Sequence, residues 1–382
     1  MEGISREEYK ARAERVRQEI EREGWAALIL FSDTTRTSNV RYLADIRPVE
    51  GVSDISMAIA AVSVDADPVL YVSLMNLLYA QEVAWFPVQP FSELVKGLVD
   101  LRTKIGKGTI GVAGLGFMPA GVHDVLRGVF GMSAIQHVGA ERFMGRIKAR
   151  KSPAELALLR RAGELTVVGL DAIQRAVCDR TPKTEREIAR YASQELFVAG
   201  GDGPSMEICI QSGPHSTYNI MKSTDRVVVA GDSILIEMGA KYRGYVTDIA
   251  RGATVGAVDP RQEGIIVAAA QAMEVACARL KPGITAGELN SVIAQSMAQS
   301  GFGEYSEEAQ GHGTGHGIGT DIEEEEPWIR PGSEFVLEEN MVFALKASAF
   351  IPGLAGVRVE DNLLVTRSGC ENLTPYPRVL KW

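Results

Sequence analysis

The stretch RIKARKSPAELALLRRA, residues 146–162, separates two differently organised parts of the chain. A basic connector leads into Ser152, Pro153 and Glu155, which have the spacing of an N-cap, a first helical position and a capping-box acid. The apolar periodicity that follows predicts a long amphipathic helix. We therefore predict that a domain boundary lies at about residue 148.

The part before the boundary, residues 1–148, alternates helical and strand patterns. A charged amphipathic helix is predicted over residues 5–24. Four apolar runs are strand candidates: WAALILFS (25–32), NVRYLADIRP (39–48), MAIAAVSV (57–64) and PVLYVS (68–73). This alternation predicts a small α/β domain around a largely buried sheet.

The part after the boundary, residues 149–382, places helices between β-rich stretches and does so twice. Further helices are predicted over 184–201, 261–283 and 285–301. The β-rich stretches lie at 206–213, 226–256, 334–350 and 356–366, and EEEE (323–326) is interpreted as a solvated turn. The fold class is therefore α+β, with a pseudo-symmetric second domain whose helices cover one face of a curved antiparallel sheet.

Composition argues against several classes of partner. The net charge is −9, from 40 basic and 49 acidic residues, which disfavours nucleic acid and anionic membranes. No run approaches the roughly 18 apolar residues of a membrane span, and the charged N-terminal helix lacks the apolar core of a signal peptide. The four cysteines are scattered, which is typical of reduced thiols. We expect a cytoplasmic protein that binds neither nucleic acid nor membrane.

Two of the five histidines stand four residues apart in GHGTGHGIGT, residues 311–320. Five glycines in these ten residues make a regular helix costly, so the segment is predicted to be a strand or loop. Such a backbone lets another molecule approach closely. His312 and His316 are therefore candidates for proton transfer or metal binding.

Three acids lie in predicted strands. Glu237 and Asp248 are eleven residues apart, on strands joined by a predicted hairpin at residues 241–244. Glu360 lies in the alternating segment VRVEDN. Each acid by itself is compatible with an ordinary outward-facing residue. Their combination with the histidine pair indicates a site.

These segments together resemble the family of creatinases, prolidases, aminopeptidases P and methionine aminopeptidases. The resemblance covers nearly the whole chain, including NVRYLADIRPVEG (39–51), the connector and the four β-rich stretches. It implies a small N-terminal creatinase-like α/β domain over 1–148 and a C-terminal pita-bread catalytic domain over 149–382. It also implies a homodimer in which the segment around residues 36–47 approaches the active site of the other chain.

The resemblance also implies a ligand set, which this chain alters. In the metallopeptidase branch two divalent ions are held, in chain order, by Asp, Asp, His, Glu and Glu. Asp248, His316 and Glu360 match the second, third and last of these positions. Glu237 stands at the first position, and Lys346 replaces the acid at the fourth.

A lysine at a ligand position argues against metal. An ammonium has no lone pair to offer, and it repels a dication by several kcal/mol at about 4 Å and an effective dielectric constant of about 20. We therefore expect a metal-free site in which Lys346 neutralises the carboxylates. The alternative is one divalent ion (Mn, Zn, Co or Fe), held by Glu237, Asp248, His316 and Glu360.

Two further positions depart from the family. A histidine expected seven residues after His316 is Glu323, and an upstream histidine is replaced by Ile220, with His215 nearby. The resemblance and the residues together nominate His316, Glu237, Glu360 and Lys346 for catalysis, and Asp248, His312, His215, Arg358 and Tyr245 for substrate binding.

Three functions are compatible with these residues. The first is metal-independent hydrolysis of a C–N bond in a small amide, guanidino or dipeptide-like substrate, with His316 as the acid–base group. The second is a metal-dependent Xaa-Pro dipeptidase or aminopeptidase. The third is a catalytically silent family member that binds a ligand or a partner protein. We expect the first, because Lys346 disfavours metal.

Overall fold

The computed structural model describes residues 3–47, 57–179, 181 and 183–382. The chain divides into two compact units, Met1–Lys148 and Ala149–Trp382. Each unit has its own sheet and its own apolar cores. Within the described ranges no helix has the length and apolar character that crossing a membrane requires.

The first unit is built on a six-stranded sheet with the order β4-β3-β2-β1-β5-β6. Its strands are β1 (Ala27–Ser32), β2 (Ala58–Ser63), β3 (Ala66–Val72), β4 (Val88–Pro90), β5 (Ile110–Ala113) and β6 (Ile135–Gln136). Its helices are α1 (Arg6–Arg22), α2 (Ser38–Arg41), α3 (Leu77–Val83), α4 (Leu94–Ile105), α5 (Ala120–Phe130) and α6 (Val138–Ala149).

Strand β1 shows why this unit is an α/β layer. All six of its residues are buried, as expected of a strand covered on both faces. Leu28 and Leu30 belong to one apolar core, whereas Ile29 and Phe31 belong to the other. The two cores lie on opposite faces because successive side chains of a strand alternate. The predicted α/β character is confirmed.

One strand prediction in this unit is wrong. Residues 39–47 contain no strand, and the short helix α2 covers Ser38–Arg41 (residue 48 lies outside the described residues). Side chains stabilise this turn. The Ser32 hydroxyl accepts a hydrogen bond from the Val40 N–H at 3.0 Å, and the Lys148 ammonium donates to Ser38 and Asn39 at 2.6 and 3.2 Å. The apolar alternation alone could not reveal these contacts.

The second unit contains a three-stranded and a nine-stranded sheet, the latter with the path β14-β13-β15-β16-β12-β9-β8 plus β17 and β18 at its side. Its strands are β7 (Gly203–Pro204), β8 (Cys209–Ser212), β9 (Ser233–Met238), β10 (Ala240–Tyr242), β11 (Tyr245–Val246), β12 (Ile249–Thr254), β13 (Gly315–Gly317), β14 (Glu324–Ile329), β15 (Val342–Ile351), β16 (Ala355–Thr366), β17 (Gly369–Asn372) and β18 (Val379–Lys381). Its helices are α7 (Pro153–Cys178), α8 (Glu185–Val198), α9 (Pro260–Arg279) and α10 (Ala286–Gln299).

Two helix pairs cover one face of the large sheet. Helices α7 and α8 form an apolar core with β8, β9 and β12. Helices α9 and α10 form a second core with β15 and β16. The two halves thus repeat one arrangement, which confirms the predicted α+β fold and its pseudo-symmetry. The opposite face of the sheet is left for polar side chains.

Local sequence signals set the helix starts. A capping box opens α7 at Ser152, as predicted, and capping boxes also open α8 at Thr184 and α10 at Thr285, the first residues of the predicted helix ranges. The hairpin between β10 and β11 turns at Arg243 and Gly244, both with positive φ (47° and 72°), as a two-residue hairpin turn requires.

The prediction of a solvated turn at EEEE is wrong. Residues 324–326 begin strand β14, and Glu324 is buried. Its carboxylate forms an ion pair of 2.7 Å with the ammonium of Lys151, which is also buried. This partner is 173 residues away along the chain, so the acidic run gave no sign of it.

Candidate active site

The candidate site lies on the face of the large sheet that the helices leave open. In β9, Ile236 and Met238 point into a helix-covered core, so Glu237 between them points to the other face. The strand register then places Glu237 level with Ala250 of β12, Glu360 of β16 and Lys346 of β15. One row across four strands therefore carries three of the predicted site residues.

Asp248, His316 and Glu360 form the centre of the site. Each offers one ligand atom, and these atoms lie within 4.8 Å of one another. His316 Nε2 is 3.6 Å from Asp248 Oδ2 and 3.7 Å from Glu360 Oε1. These separations are long for hydrogen bonds. They suit atoms that share an ion, since two ligands about 2.1 Å from one ion lie roughly 3.4 Å apart at the tetrahedral angle.

Several carboxylate oxygens of this cluster have no hydrogen-bond partner, and this bears on whether a cation fits there. Asp248 Oδ1 and both oxygens of Glu360 are buried and have no hydrogen-bond partner among the described residues. Burial and the charge of Glu360 raise the pKa of Asp248 well above its ordinary value. The ionised carboxylates of Asp248 and Glu360 are therefore poorly stabilised without a further partner. A divalent cation would supply the missing partner. The three residues therefore fit a metal ion.

His316 is oriented as a ligand. Its Nδ1 lies 3.1 Å from the Gly317 carbonyl oxygen, which can only accept, so Nδ1 carries the proton and Nε2 keeps its lone pair. Burial, helped by the charge of Lys346, lowers the pKa of His316 and favours the neutral ring. The Trp328 ring packs beside it, with centroids 6.0 Å apart.

Asp248 is held by a neighbouring amide. It lies between β11 and β12, where its N–H donates to Asn362 Oδ1 at 2.9 Å. The Asn362 side-chain amide donates in turn to the Asp248 carbonyl oxygen at 2.6 Å. These two hydrogen bonds fix the backbone of residue 248 and so orient its carboxylate toward His316.

Glu237 is engaged by Arg358 and does not belong to the cluster of ligand atoms. The Arg358 Nη1 donates to Glu237 Oε2 at 2.6 Å. The same guanidinium donates to Glu307 at 2.7 and 3.1 Å and to the side-chain oxygen of Asn219. Of the four residues that the metal-binding alternative named, Asp248, His316 and Glu360 lie together, and Glu237 is not grouped with them.

These contacts set the ionisation of the two acids. Burial, reinforced by Glu360, raises the pKa of Glu237 to about 7 although Arg358 opposes it. For Glu307, burial is outweighed by the charges of Arg358 and Lys346, which lower its pKa to about 2. These hydrogen bonds use four of the five N–H donors of Arg358, which leaves one Nη1 hydrogen for the substrate-anchoring role predicted for it.

Lys346 does not neutralise the carboxylates by direct contact, contrary to our expectation. Within the described ranges its ammonium forms no hydrogen bond and no ion pair within 4.0 Å. Burial alone would lower the pKa of Lys346, but the charge of Glu360, aided by Glu307 and Glu237, outweighs burial and raises it. A protonated lysine therefore stands near the acids without occupying the place between Asp248, His316 and Glu360.

The remaining candidate residues lie away from this cluster. His215 points to the buried Glu185, with Nδ1 3.0 Å from its carboxylate. Tyr245 is buried, and its hydroxyl lies 3.1 Å from Glu155. His312 is exposed. In the described part of the chain, no hydrogen bond or ion pair joins His215 or His312 to Asp248, His316 or Glu360.

Two partners of Arg358, Glu307 and Asn219, were not predicted from the sequence. Glu307 lies in a loop five residues before His312, in EYSEEAQGH, and Asn219 follows the short 3₁₀ helix Gly213–Thr217. Neither position belongs to a periodic pattern. The one signal in the sequence was Arg358 itself, because an arginine at an inward-facing strand position needs acidic side chains beside it.

Comparisons with known proteins point in one direction. The model of the metallopeptidase family M24 matches residues 157–367. The Xaa-Pro dipeptidase of Pyrococcus horikoshii is 28% identical over 349 residues, which cover 90% of this chain and 92% of that protein. The Xaa-Pro dipeptidase of Lactobacillus helveticus is 30% identical over 335 residues, covering 83% and 86%.

Solved structures agree with these relatives. The prolidase from Pyrococcus horikoshii has a TM-score of 0.83 at 25% identity, over 96% of this chain and 99% of that chain. The X-Pro aminopeptidase from Thermotoga maritima has a TM-score of 0.81 at 25% identity, over 97% and 99%.

These similarities correct two of our expectations. The relatives are peptidases by name, so they do not support the preference for a non-peptidase amidohydrolase. The family is one of metallopeptidases, and the Asp248–His316–Glu360 cluster favours a divalent ion over the metal-free site expected from Lys346. The alternative in each case fits the findings better.

Proposed function

Because the chain belongs to the metallopeptidase family M24, we propose that it is a metal-dependent peptidase of the Xaa-Pro dipeptidase type. One divalent ion (Mn, Zn, Co or Fe) would be held by Asp248, His316 and Glu360. The observation that carries this proposal is the group of three buried carboxylate oxygens without partners, next to a histidine that offers its lone pair.

A bound ion would act as a Lewis acid on the scissile carbonyl and lower the pKa of a bound water. The protein supplies the rest. Asn362 fixes Asp248, and the Gly317 carbonyl fixes the ring of His316. We assign His316 to ion binding, in place of the acid–base role expected from the sequence.

Glu237 is our candidate for proton transfer. It is buried on the same row as Glu360, and in the metal-free protein burial raises the pKa of Glu237 to about 7, toward the range in which a group accepts and returns a proton near neutral pH. Its hydrogen bond with Arg358 fixes the orientation of the carboxylate. Arg358 thereby acts as a positioning residue.

The charges of the site argue for one ion and against two. Glu237, Glu307, Asp248 and Glu360 bring four negative charges when ionised, and Arg358 and Lys346 bring two positive ones. One divalent ion cancels the remaining two negative charges. A second ion would leave an uncompensated double positive charge in a buried site, which is costly.

The test is metal analysis combined with an activity assay. The full-length protein is stripped with chelator, reloaded separately with each of the four metals, and assayed with alanyl-proline. We expect one equivalent of metal and hydrolysis only when it is present. Asp248→Asn should lose both, whereas Glu371→Gln, which alters an exposed acid paired with Arg160, should lose neither.

The other two functions predict different results. Full activity in chelator would favour the metal-independent hydrolase, which Lys346 suggested. Stoichiometric metal without turnover of any dipeptide would favour the silent binding member. We expect a small-molecule substrate for either hydrolase, and no nucleic acid or membrane partner.

A further inference from the structure

Two of the four cysteines lie together at the end of helix α9. Cys277 is on the last turn of α9, and Cys370 is on β17, 93 residues further along the chain. The Cys370 Sγ lies 3.6 Å from the Cys277 carbonyl oxygen, and the two thiols are within hydrogen-bonding distance of each other. The fold thus brings into contact two thiols that are scattered in the sequence.

Packing fixes the two cysteines beside each other. Both side chains pack against the apolar core that α9 and α10 form with β15 and β16. Cys370 is paired with Val365 across β17 and β16. A Cβ added at the neighbouring Gly369 would lie 3.9 Å from the Leu280 carbonyl oxygen, so the start of β17 touches the end of α9. Helix and strand are therefore already adjacent in the reduced protein.

An arginine polarises this pair of thiols. The Arg378 Nη2 donates to Cys277 Sγ at 3.4 Å, and its Nε donates to the buried Asp361 carboxylate at 2.8 Å. Cys277 can then donate its own S–H to Cys370, which gives a chain of hydrogen bonds from a guanidinium to a thiol. The hydrogen bond from Cys277, helped by the charge of Arg378, outweighs burial and lowers the pKa of Cys370. The same hydrogen bond and burial raise the pKa of Cys277.

Small reagents can reach the pair. Cys277 and Cys370 are only half-buried, whereas Cys209 is buried and burial raises the pKa of its thiol to about 11. Cys178 on α7 is exposed, but it does not belong to this pair. A thiol that ionises readily, next to a second reachable thiol, is the arrangement of a reactive dithiol.

We propose that Cys277 and Cys370 form a reversible disulfide when the protein meets a low-molecular-weight disulfide such as oxidised glutathione. The Cys370 thiolate attacks one sulfur of that disulfide, the two sulfurs bond, and one small thiol leaves. Cys277 then attacks the Cys370 sulfur, and the second small thiol leaves. The two protein thiols give two electrons to the small disulfide and two protons to the departing thiols. This inference is independent of the proposed function.

The disulfide acts as a cross-link between α9 and β17. It joins residues that are 93 positions apart, and closing so long a loop restricts the unfolded chain far more than the folded one. For a unit of this size the melting temperature should rise by roughly 5–15 °C. The buried Asp361 stays bound by Arg251 at 2.6 Å, so the acid keeps a partner even when Arg378 loses its contact with the thiol.

The experiment maps the thiols of the full-length native protein after incubation with oxidised glutathione. Remaining thiols are blocked with N-ethylmaleimide, and the digest is analysed without reductant by mass spectrometry. We expect a peptide pair joined through Cys277 and Cys370, with neither residue carrying the blocking group. Dithiothreitol should make both thiols reactive again and return the melting temperature to that of the reduced protein.

Two variants serve as controls. Cys277→Ser should stop the reaction after its first step, with glutathione retained on Cys370 and no rise in melting temperature. Cys178→Ser removes the exposed thiol outside the pair and should change neither the joined peptides nor the shift. The mapping of the wild type needs no variant. Absence of the joined peptides in the native wild type, their appearance only after unfolding in urea, or an unchanged melting temperature after they form would overturn the proposal.

Discussion

Arg358 and Lys346 are cations on adjacent strands of the site, yet among the residues that the structure describes Arg358 is paired with acids and Lys346 is not. Removing one partner of a buried ion pair leaves an uncompensated charge, which costs far more than the pair contributed. Arg358 has two such partners, Glu237 and Glu307. Single-residue changes here should therefore affect stability as well as activity.

The first prediction concerns Arg358→Met. Glu237 and Glu307 would remain buried beside each other without a cation, so the free energy of unfolding should fall by about 3–5 kcal/mol. Urea unfolding of the metal-loaded protein measures it. Arg160→Met breaks an exposed pair with Glu371 and should cost less than about 1 kcal/mol. Similar losses for the two variants would contradict the buried network.

The second prediction concerns the two histidines. His316→Ala removes a ligand, so kcat should fall by at least about 10²-fold and Mn²⁺ should no longer raise the melting temperature. His312→Ala removes an exposed side chain and should have a much smaller effect on both. Assays of the two variants side by side check this. A retained Mn²⁺ response in His316→Ala would remove His316 from the ion site.

Part of the site could be predicted from the sequence because its residues occur in the same order along the chain as the ligands of the family that it resembles. Asp248, His316 and Glu360 were found in this way, and the structure brings them together. The partner of Arg358 could not be found, since it depends on which side chains of neighbouring strands meet across the sheet. Glu307, 51 residues away in a loop, makes that contact.

Helix α7 packs closely, through Gly163, against the non-strand segment that follows β17. A Cβ added at Gly163 would overlap the Leu373 carbonyl oxygen. Gly264 in α9 differs, since its nearest neighbour to an added Cβ is a Phe302 ring atom at 3.8 Å, an ordinary contact. The two helical glycines therefore make a matched pair within one unit.

The third prediction uses this pair. Gly163→Ala should lower the free energy of unfolding by roughly 1–2 kcal/mol, because the overlap with a backbone atom outweighs the gain in helix propensity. Gly264→Ala should raise it by about 0.5–1 kcal/mol, since it gains propensity without a clash. Denaturant unfolding of both variants measures the difference. A stabilised Gly163→Ala would show that α7 can move outward freely.

At this scale the sequence is most informative where the signal is local. The capping box at Ser152 predicted the start of α7, and the predicted ranges that begin at residues 184 and 285 gave the starts of α8 and α10. Strand β14 and helix α2 were not predicted, because distant lysines decide both. Lys151 forms an ion pair with the buried Glu324 of β14, and Lys148 donates a hydrogen bond to Ser38 of α2. A hydrophobic pattern over about ten residues cannot reveal partners that lie more than a hundred residues away in the sequence.

The stability of the whole molecule should depend on pH and metal together. In the metal-free protein the pKa of Glu237 is raised from 4.5 to about 7, and that of Asp248 is raised as well. Between pH 4.5 and 7 the folded state therefore holds protons that the unfolded state has released. The free energy of unfolding falls as pH rises through this window.

The fourth prediction follows from that sign. A bound ion keeps its carboxylates deprotonated, so it should stabilise the protein more as pH rises from about 5 to 8. The measured quantity is the difference in melting temperature between excess Mn²⁺ and chelator. It should widen with pH in the wild type and vanish in Glu360→Gln. A difference that stays constant with pH would count against coupled protonation.

The surface of the first unit carries an apolar patch formed by Leu74, Met75 and Leu78, which are 73%, 78% and 80% exposed. The neighbouring Tyr79 hydroxyl donates to the Asp45 carbonyl oxygen at 3.2 Å. The patch is thus joined to the segment around residues 36–47, which the family resemblance predicts to approach a second copy of the chain. Contiguous exposed apolar side chains are typical of interaction surfaces.

The fifth prediction is that the protein is a homodimer whose interface includes this patch. Leu78→Glu should shift the mass from dimer to monomer at micromolar concentration, because a buried carboxylate without a partner is costly at an interface. Val198→Glu, at a 74% exposed position on α8, should leave the dimer intact. Light scattering measures both. A monomeric wild type would refute the dimer, and equal dissociation by the two variants would remove the apolar patch from the interface.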